Sequence, residues 1–180
     1  MIETLLGPFF LALFVSLIAT PPVIFLARKI KLVDDPKTHK HPAIIHKKPL
    51  PRAGGLPIYL AIISAILFFL PLDKSFIAII YAGLLVTIIG LLDDKYDLSP
   101  YVRFLGNILA ASMVVFYGVD LPFITNPLGG IVEFAIFSFN INGLVITPAT
   151  IFAIIWIVWV MNMLNWSKGV DGQMPGVAAI

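Results

Sequence analysis

The chain has 180 residues, of which 59% are hydrophobic and 12% are charged, and its formal net charge is +2. Together with a mean hydropathy of +1.00, this composition excludes an ordinary soluble domain and indicates an integral membrane protein. No cysteine is present, which excludes disulfide bonds, thiolate metal sites and a cysteine nucleophile.

Long apolar runs predict an all-α polytopic membrane protein. A helix that spans a bilayer needs roughly 20 apolar residues, with about 17 as a lower limit. Five runs reach or approach this length, at residues 5–27, 56–72, 76–92, 104–119 and 146–166. Another run begins near Pro175. We therefore expect a single membrane domain over residues 1–180, with five transmembrane helices and the start of a sixth.

The basic residues predict how these helices are oriented. Eight of the twelve Lys and Arg residues lie between Arg28 and Arg52. Alternate threading of the spans places Lys95, Arg103 and Lys168 on that same side and leaves only Lys74 on the other. The positive-inside rule makes the basic side cytoplasmic and the N-terminus external. We expect a multi-pass protein of the cell membrane.

Between the fourth and fifth spans, a segment on the external side has the character of β-structure. Val132, Phe134 and Ile136 alternate with smaller or polar residues, a pattern typical of a strand. Asn142-Gly143 is a turn pair flanked by apolar residues. The sequence predicts a short external β-hairpin here.

Three carboxylates, Asp93, Asp94 and Asp97, crowd into five residues at the end of the third run. If the helix continues through this stretch, all three side chains can converge on one side. Negative charge is unfavourable at a helix C-terminus unless a cation is bound. Because Mg²⁺ usually takes one or two carboxylates together with substrate phosphates, the cluster suits a magnesium site. The alternative is a solvated acidic loop between two membrane helices.

The loop before the second span ends in the sequence HKKPLPRAGG, residues 46–55. Two prolines stiffen the loop, and the glycine pair allows a close approach of the backbone to a ligand. Lys48 and Arg52 suit phosphate groups, although cytoplasmic loops are basic for topological reasons alone. That topological interpretation is favoured for Lys37 and Lys40. The three histidines, His39, His41 and His46, fit no common metal-ligand spacing.

The fifth span ends in a third polar segment, residues 162–172. Asn162 and Asn165 are three residues apart and therefore face the same way on a helix. With Lys168 and Asp171 they form a compact set of donors and acceptors, suited to a base, a ribose or a metal-bound phosphate. Alternatively, these polar groups only anchor the helix end at the membrane interface.

Together, the HKKPLPRAGG, LLDDKYDLS and NMLNWSKGVDG segments resemble the polyprenyl-phosphate N-acetylhexosamine-1-phosphate transferases. The resemblance implies a cytoplasmic active site and Mg²⁺-dependent transfer, with Mn²⁺ as an alternative ion. A sugar-1-phosphate passes from a UDP-sugar to undecaprenyl or another polyprenyl phosphate, and UMP is released. Such reactions begin cell-wall and lipopolysaccharide pathways. GlcNAc is the expected sugar, because the PRAGG and NxxN forms are closest to members that use it.

The resemblance also implies roles for single residues. Asp93, Asp94 and Asp97 match the family's DDxxD motif and are expected to be catalytic, with Asp93, Asp94 and Asn165 near the metal. Nucleotide or phosphate binding is expected of Lys48, Arg52, Asn162, Asn165, Lys168 and Asp171. Lys168 departs from the family pattern, because many members have Asp there, and a lysine can instead approach a phosphate.

Family members have about ten membrane helices, so the chain is expected to be the N-terminal half of such an enzyme and inactive alone. Its expected partners are the UDP-sugar, the polyprenyl phosphate lipid and the membrane, without nucleic acid, and a homodimer is left open. A membrane transporter is one alternative, but it would need ionisable groups at mid-bilayer, which spans two to five lack. A half-protein without catalysis is the other alternative.

Overall fold

Helices make up most of the chain in the computed structural model, which describes residues 2–34, 49–119, 121–126, 129–133, 137–141, 144–166 and 173–178. The helices within these ranges are α1 (Ile2–Lys29), α2 (Gly55–Phe69), α3 (Lys74–Tyr96), α4 (Pro100–Phe116), α5 (Pro148–Trp166) and α6 (Gln173–Ala178). The strands are β1 (Val33–Asp34), β2 (Leu50–Pro51), β3 (Phe123–Thr125), β4 (Ile131–Glu133), β5 (Phe139–Ile141) and β6 (Leu144–Ile146).

Each of the five predicted spans coincides with a helix. Within the described part of the chain, α1, α3 and α5 are the three helices long and apolar enough to cross a membrane. α2 and α4 are apolar but shorter, with 15 and 17 residues. The architecture thus agrees with the predicted all-α membrane protein, while the number of five spans stays a prediction. α6 begins at Gln173, close to the predicted start of the sixth run.

Side-chain caps fix where three of these helices begin. The Asp73 carboxylate accepts a hydrogen bond of 2.8 Å from the Phe76 N–H, as an N-cap residue does. At α4, the Ser99 hydroxyl accepts a hydrogen bond of 3.4 Å from the Val102 N–H, and proline at the first helical position, Pro100, is favoured by its fixed φ. At α5, Thr147 and Thr150 exchange backbone-to-hydroxyl hydrogen bonds of 3.1 and 3.2 Å. These polar caps therefore set the helix starts that hydropathy alone places only approximately.

The chain divides into two compact units, Met1–Arg103 and Phe104–Ile180. In the first unit, α1 and α2 are antiparallel: the Phe69 ring lies beside Gly7 at one end, and Ala27 and Ala53 share a buried cluster at the other. The Tyr59 ring of α2 packs beside Gly83 of α3. The Tyr59 hydroxyl also donates a hydrogen bond of 3.0 Å to the carbonyl oxygen of Ile80.

The second unit contains two antiparallel hairpins among its described residues. β5 pairs with β6 in a register that joins Ile141 to Leu144, which leaves a two-residue connection at Asn142-Gly143. The predicted hairpin at this turn is therefore confirmed, although residues 142 and 143, like Phe134 and Ile136, lie outside the described residues. β4 contains Val132, where the predicted alternation begins, but the pairing of β3 with β4 is not predicted, because the sequence pattern indicates no partner strand at residues 123–125.

The contact between Tyr59 and Gly83 generates a test of the α2–α3 packing. A Cβ atom on Gly83 would lie 3.1 Å from the Tyr59 ring, whereas one on Gly90 of the same helix would meet nothing within 4 Å. We expect Gly83→Val to lower the free energy of unfolding by about 1–3 kcal/mol more than Gly90→Val, because it overpacks this contact. Unfolding in detergent micelles measures the difference, and equal losses would contradict the packing described.

Candidate active site

A short ribbon follows α1 and positions the first part of the site. α1 ends where Lys31 adopts a φ of 58° and the Leu32 N–H donates to the Ala27 carbonyl oxygen at 2.7 Å, as in a Schellman motif. β1 then pairs antiparallel with β2. The Arg52 N–H extends this pairing by donating to the carbonyl oxygen of Leu32 at 3.0 Å. The ribbon therefore holds Arg52 against the end of α1.

A small apolar cluster beneath the ribbon brings in the end of α3. Ala27, Leu32 and Ala53 are buried, with exposed fractions of 2%, 3% and 6%. Val23 of α1 and Leu91 of α3 pack against them. Because Leu91 lies two residues before Asp93, this packing places the end of α3, and with it the predicted acid cluster, next to the ribbon.

The side chain of Asp94 connects the end of α3 to the loop before α2 through a hydrogen bond from the Ala53 backbone. The Ala53 N–H donates to Asp94 Oδ2 over 3.0 Å, across 41 residues of sequence. Ala53 has a φ of 80°, which is uncommon for a residue other than glycine and costs about 1–3 kcal/mol. The buried methyl group and the bond to a carboxylate offset that cost. The acid cluster and the PRAGG turn thus meet at one end of the first unit.

Asp93 lies beside Asp94 and has a different partner. Its Oδ2 atom forms an ion pair of 3.0 Å with Arg103 Nη1, and the two side chains are 23% and 37% exposed, respectively. Asp93 Oδ1 is buried and has no hydrogen-bond partner among the described residues. A buried carboxylate oxygen without a partner is unfavourable, and oxygen atoms are the ligands that Mg²⁺ prefers. The chemistry of Asp93 and Asp94 therefore fits a divalent cation.

Asp97 does not continue the helix that carries the other two carboxylates. α3 ends at Tyr96, and Asp97 adopts a left-handed conformation with φ of 50° and ψ of 64°, which Asp and Asn tolerate better than most residues. Its side chain is exposed. No group of three or more Asp, Glu, His or Cys residues in the described ranges is placed to hold a metal ion. Convergence of all three carboxylates on one helix side, which requires a continuous helix, is therefore not observed.

Arg52, a predicted phosphate-binding residue, is engaged in an ion pair. Its Nη2 atom lies 3.1 Å from Asp34 Oδ2, with the side chains of Arg52 and Asp34 exposed by 31% and 18%. The register of the ribbon, which pairs Asp34 with Leu50, brings the two together. Phosphate binding by Arg52 stays a prediction, and it would require a phosphate to share or replace this partner.

Sequence reasoning missed three groups of this site: Asp34, Arg103 and the Ala53 N–H. Asp34 and Arg52 are 18 positions apart in the sequence, so no short-range pattern links them. For Arg103 the sequence indicates only a contribution to the orientation of the helices. A signal for its pairing does exist, because Ser99-Pro100 marks a helix start that places Arg103 one turn into α4, near the end of α3.

The predicted asparagine pair lies on α5 in the second unit. Asn162 is half-buried, and its Nδ2 atom donates to the Val158 carbonyl oxygen at 2.8 Å. Asn165 is exposed. Several residues singled out in the sequence lie outside the described residues: Lys37, His39, Lys40, His41, His46, Lys48, Lys168 and Asp171.

Comparison with known proteins matches the chain to enzymes. The sequence model of glycosyl transferase family 4 matches residues 76–180. The "Probable undecaprenyl-phosphate N-acetylglucosaminyl 1-phosphate transferase" of Bacillus subtilis is 33% identical over 96% of this chain and 44% of its own length. The decaprenyl-phosphate N-acetylglucosaminephosphotransferase of Mycobacterium leprae is 30% identical over 94% of this chain and 42% of its own.

A third relative is the undecaprenyl-phosphate alpha-N-acetylglucosaminyl 1-phosphate transferase of Escherichia coli. It is 29% identical over 86% of this chain and 39% of its own length. The chain thus spans less than half the length of these three relatives. No solved structure matches it significantly.

The hydrogen bond from Ala53 to Asp94 generates a test that needs no substrate. We expect Asp94→Ala to lower the free energy of unfolding by about 1–3 kcal/mol, because it leaves a buried N–H without an acceptor. Asp94→Asn keeps an acceptor oxygen, so it should lower the free energy of unfolding by less than Asp94→Ala. Asp97→Asn, which alters an exposed carboxylate, is the matched control. An Asp94→Ala variant as stable as Asp97→Asn would contradict the role given to this bond.

Proposed function

Because the chain belongs to glycosyl transferase family 4, we propose that it contributes to the transfer of GlcNAc-1-phosphate from UDP-GlcNAc to a polyprenyl phosphate. The bacterial relatives are named as polyprenyl-phosphate GlcNAc-1-phosphate transferases, which supports this choice of acceptor and sugar. The UDP carrier and the release of UMP belong to the same proposal.

The hydrogen bond between the Ala53 N–H and Asp94 is the observation that carries the proposal. It joins the turn that contains Arg52 to the acid pair at the end of α3. Groups suited to phosphate and groups suited to a divalent cation therefore lie at one end of the first unit. A reaction between two phosphate-bearing substrates needs both kinds of group close together, because it depends on positioning and charge neutralisation.

The proposed reaction is a substitution at phosphorus. An oxygen of the lipid phosphate forms a bond to the β-phosphorus of UDP-GlcNAc. The bond from that phosphorus to the oxygen shared with the α-phosphorus breaks, and UMP leaves with that oxygen. A bound Mg²⁺ would neutralise the charge of the pyrophosphate, and Asp93, Asp94 and Asn165 are the residues we propose to hold it. Asp97, the third carboxylate of the motif, is proposed to take part in catalysis.

The remaining predicted site residues are proposed to bind the donor. Arg52 can engage a phosphate through two of its nitrogen atoms, and Lys48 and Lys168 can act as point charges near the pyrophosphate. Asn162 and Asp171 supply an amide and a carboxylate that suit the polar atoms of uridine.

We also propose that this end of the protein faces the cytoplasm. The end of α1, the start of α2 and the end of α3 meet there, and they carry Arg28, Lys29, Arg52 and Lys95. Lys74 lies at the opposite end of α3. Such an asymmetry is the basis of the positive-inside rule. A cytoplasmic site gives a soluble nucleotide sugar access to a lipid phosphate at the headgroup level.

An assay with radiolabelled UDP-GlcNAc, Mg²⁺ and undecaprenyl phosphate tests the proposed function. With the remaining segment of the Bacillus subtilis relative co-expressed, because the chain spans 44% of that relative, we expect labelled lipid to form. Asp93→Asn and Asp94→Asn should each lower the rate by about 10²–10³-fold, the size of effect that removal of one preorganised electrostatic group produces. Each substitution removes one negative charge and hardly changes the side-chain volume.

Asp73→Asn is the matched control, since it makes the same change at the other end of α3, about 30 Å from Asp93 at a rise of about 1.5 Å per residue. Asparagine preserves the N-cap at this position, so the rate should be close to that of the unsubstituted protein. Undiminished transfer by Asp93→Asn or Asp94→Asn would remove the proposed site. Absence of labelled lipid from the unsubstituted protein in the presence of the co-expressed segment would contradict the proposed function.

A further inference from the structure

The ion pair between Arg103 and Asp93 is a contact that the proposed reaction leaves without a role. Arg103 Nη1 lies 3.0 Å from Asp93 Oδ2, and the two residues are ten positions apart. Both side chains are partly shielded, with exposed fractions of 37% for Arg103 and 23% for Asp93. The contact therefore involves the carboxylate that occupies the first position of the acid motif.

The backbone between the two residues places Arg103 close to Asp93. Asp97 leaves α3 in a left-handed conformation, and α4 begins three residues later, at Pro100. The Ser99 carbonyl oxygen accepts hydrogen bonds from the N–H groups of Val102 and Arg103 at 3.0 and 3.3 Å. This first turn fixes the backbone of Arg103, so the direction of its side chain is set by local structure.

Asp93 has a physical need for a cation beside it. It lies in the last turn of α3, where the helix dipole opposes negative charge, and Asp94 is its neighbour in sequence. The Asp94 carboxylate accepts a hydrogen bond from the Ala53 N–H. Within the described ranges, by contrast, the Asp93 side chain accepts from Arg103, and its Oδ1 atom has no partner. Arg103 is therefore the group that determines how this carboxylate is held.

We propose that Arg103 is a positioning residue for Asp93. By pairing with Oδ2 it fixes the side-chain rotamer of Asp93 and leaves Oδ1 oriented for the reaction. The inference rests on the proposed function, because it assigns Arg103 a role in the same site. An ion pair that only stabilised the surface would contribute little to folding and nothing to turnover, so kinetics can separate the two roles.

The pair itself is tested by melting temperatures of Arg103→Met, Asp93→Asn and the double variant in detergent, without substrate or metal. We expect Arg103→Met to lower the melting temperature, and to lower it less when Asp93 is already neutral. Such non-additivity is the signature of two side chains in contact. Additive effects of the two substitutions would overturn the pairing.

The positioning role is tested by kcat and KM in the labelled-lipid assay. We expect Arg103→Met to lower kcat by about 10²-fold, as small misplacements of a reacting group do, with the KM for UDP-GlcNAc changed by less than about twofold. Arg103→Lys should recover about tenfold of that loss, because lysine restores the charge without the planar guanidinium. Arg28→Met is the matched control, since Arg28 is exposed and forms no salt bridge among the described residues.

A kcat of Arg103→Met equal to that of Arg28→Met, or a loss confined to KM, would overturn the positioning role. If Arg103→Met does not fold, Arg103→Lys decides: a kcat about tenfold below that of the unsubstituted protein supports the role, and an unchanged kcat overturns it. Failure of the proposed function can be told apart from failure of the positioning role. In the first case the unsubstituted protein forms no labelled lipid, while the melting temperatures still show whether Arg103 and Asp93 form a pair.

Discussion

The site depends on one hydrogen bond, from the backbone of Ala53 to the carboxylate of Asp94. Ala53 is held in an unfavourable backbone conformation, and its methyl group is buried against Ala27 and Leu32. The short segment around Ala53 therefore packs against the end of α1, leads into α2 and contacts α3. Because a charged acceptor makes a stronger bond than a neutral one, Asp94 can hold the turn and still retain a second oxygen for other chemistry.

The two adjacent aspartates are held in different ways. Asp94 is tied to the loop by a backbone donor, whereas Asp93 is tied to Arg103 by charge. Two neighbouring carboxylates at a helix C-terminus repel each other and the helix dipole. Separate partners reduce that repulsion and turn the two groups in defined directions. This arrangement is consistent with the proposed binding of a cation and two phosphate-bearing substrates.

Hydropathy alone predicted the five main helices, and Asn142-Gly143 predicted the turn between β5 and β6, because both signals are local. The β1–β2 ribbon was not predicted, since strands of two residues carry no periodicity. The pairs Asp34–Arg52 and Asp93–Arg103 depend on tertiary structure and a helix start. Convergence of Asp97 with Asp93 and Asp94 on one side requires a continuous helix, but α3 ends at Tyr96 because Asp97 is left-handed. For Lys48, Lys168 and Asp171 the sequence-based prediction stands alone.

Amide hydrogen exchange at Ala53 tests most directly whether Asp94 joins the loop to the acid pair. Exchange at this amide should be slow in the unsubstituted protein and about 10–100-fold faster in Asp94→Ala, the change expected when a hydrogen bond to a charged acceptor is lost. Amides in the middle of α2, such as that of Ser64, should exchange at the same rate in both proteins. Equal exchange at Ala53 in the two proteins would show that the loop is held without Asp94, contradicting the arrangement from which the function is inferred.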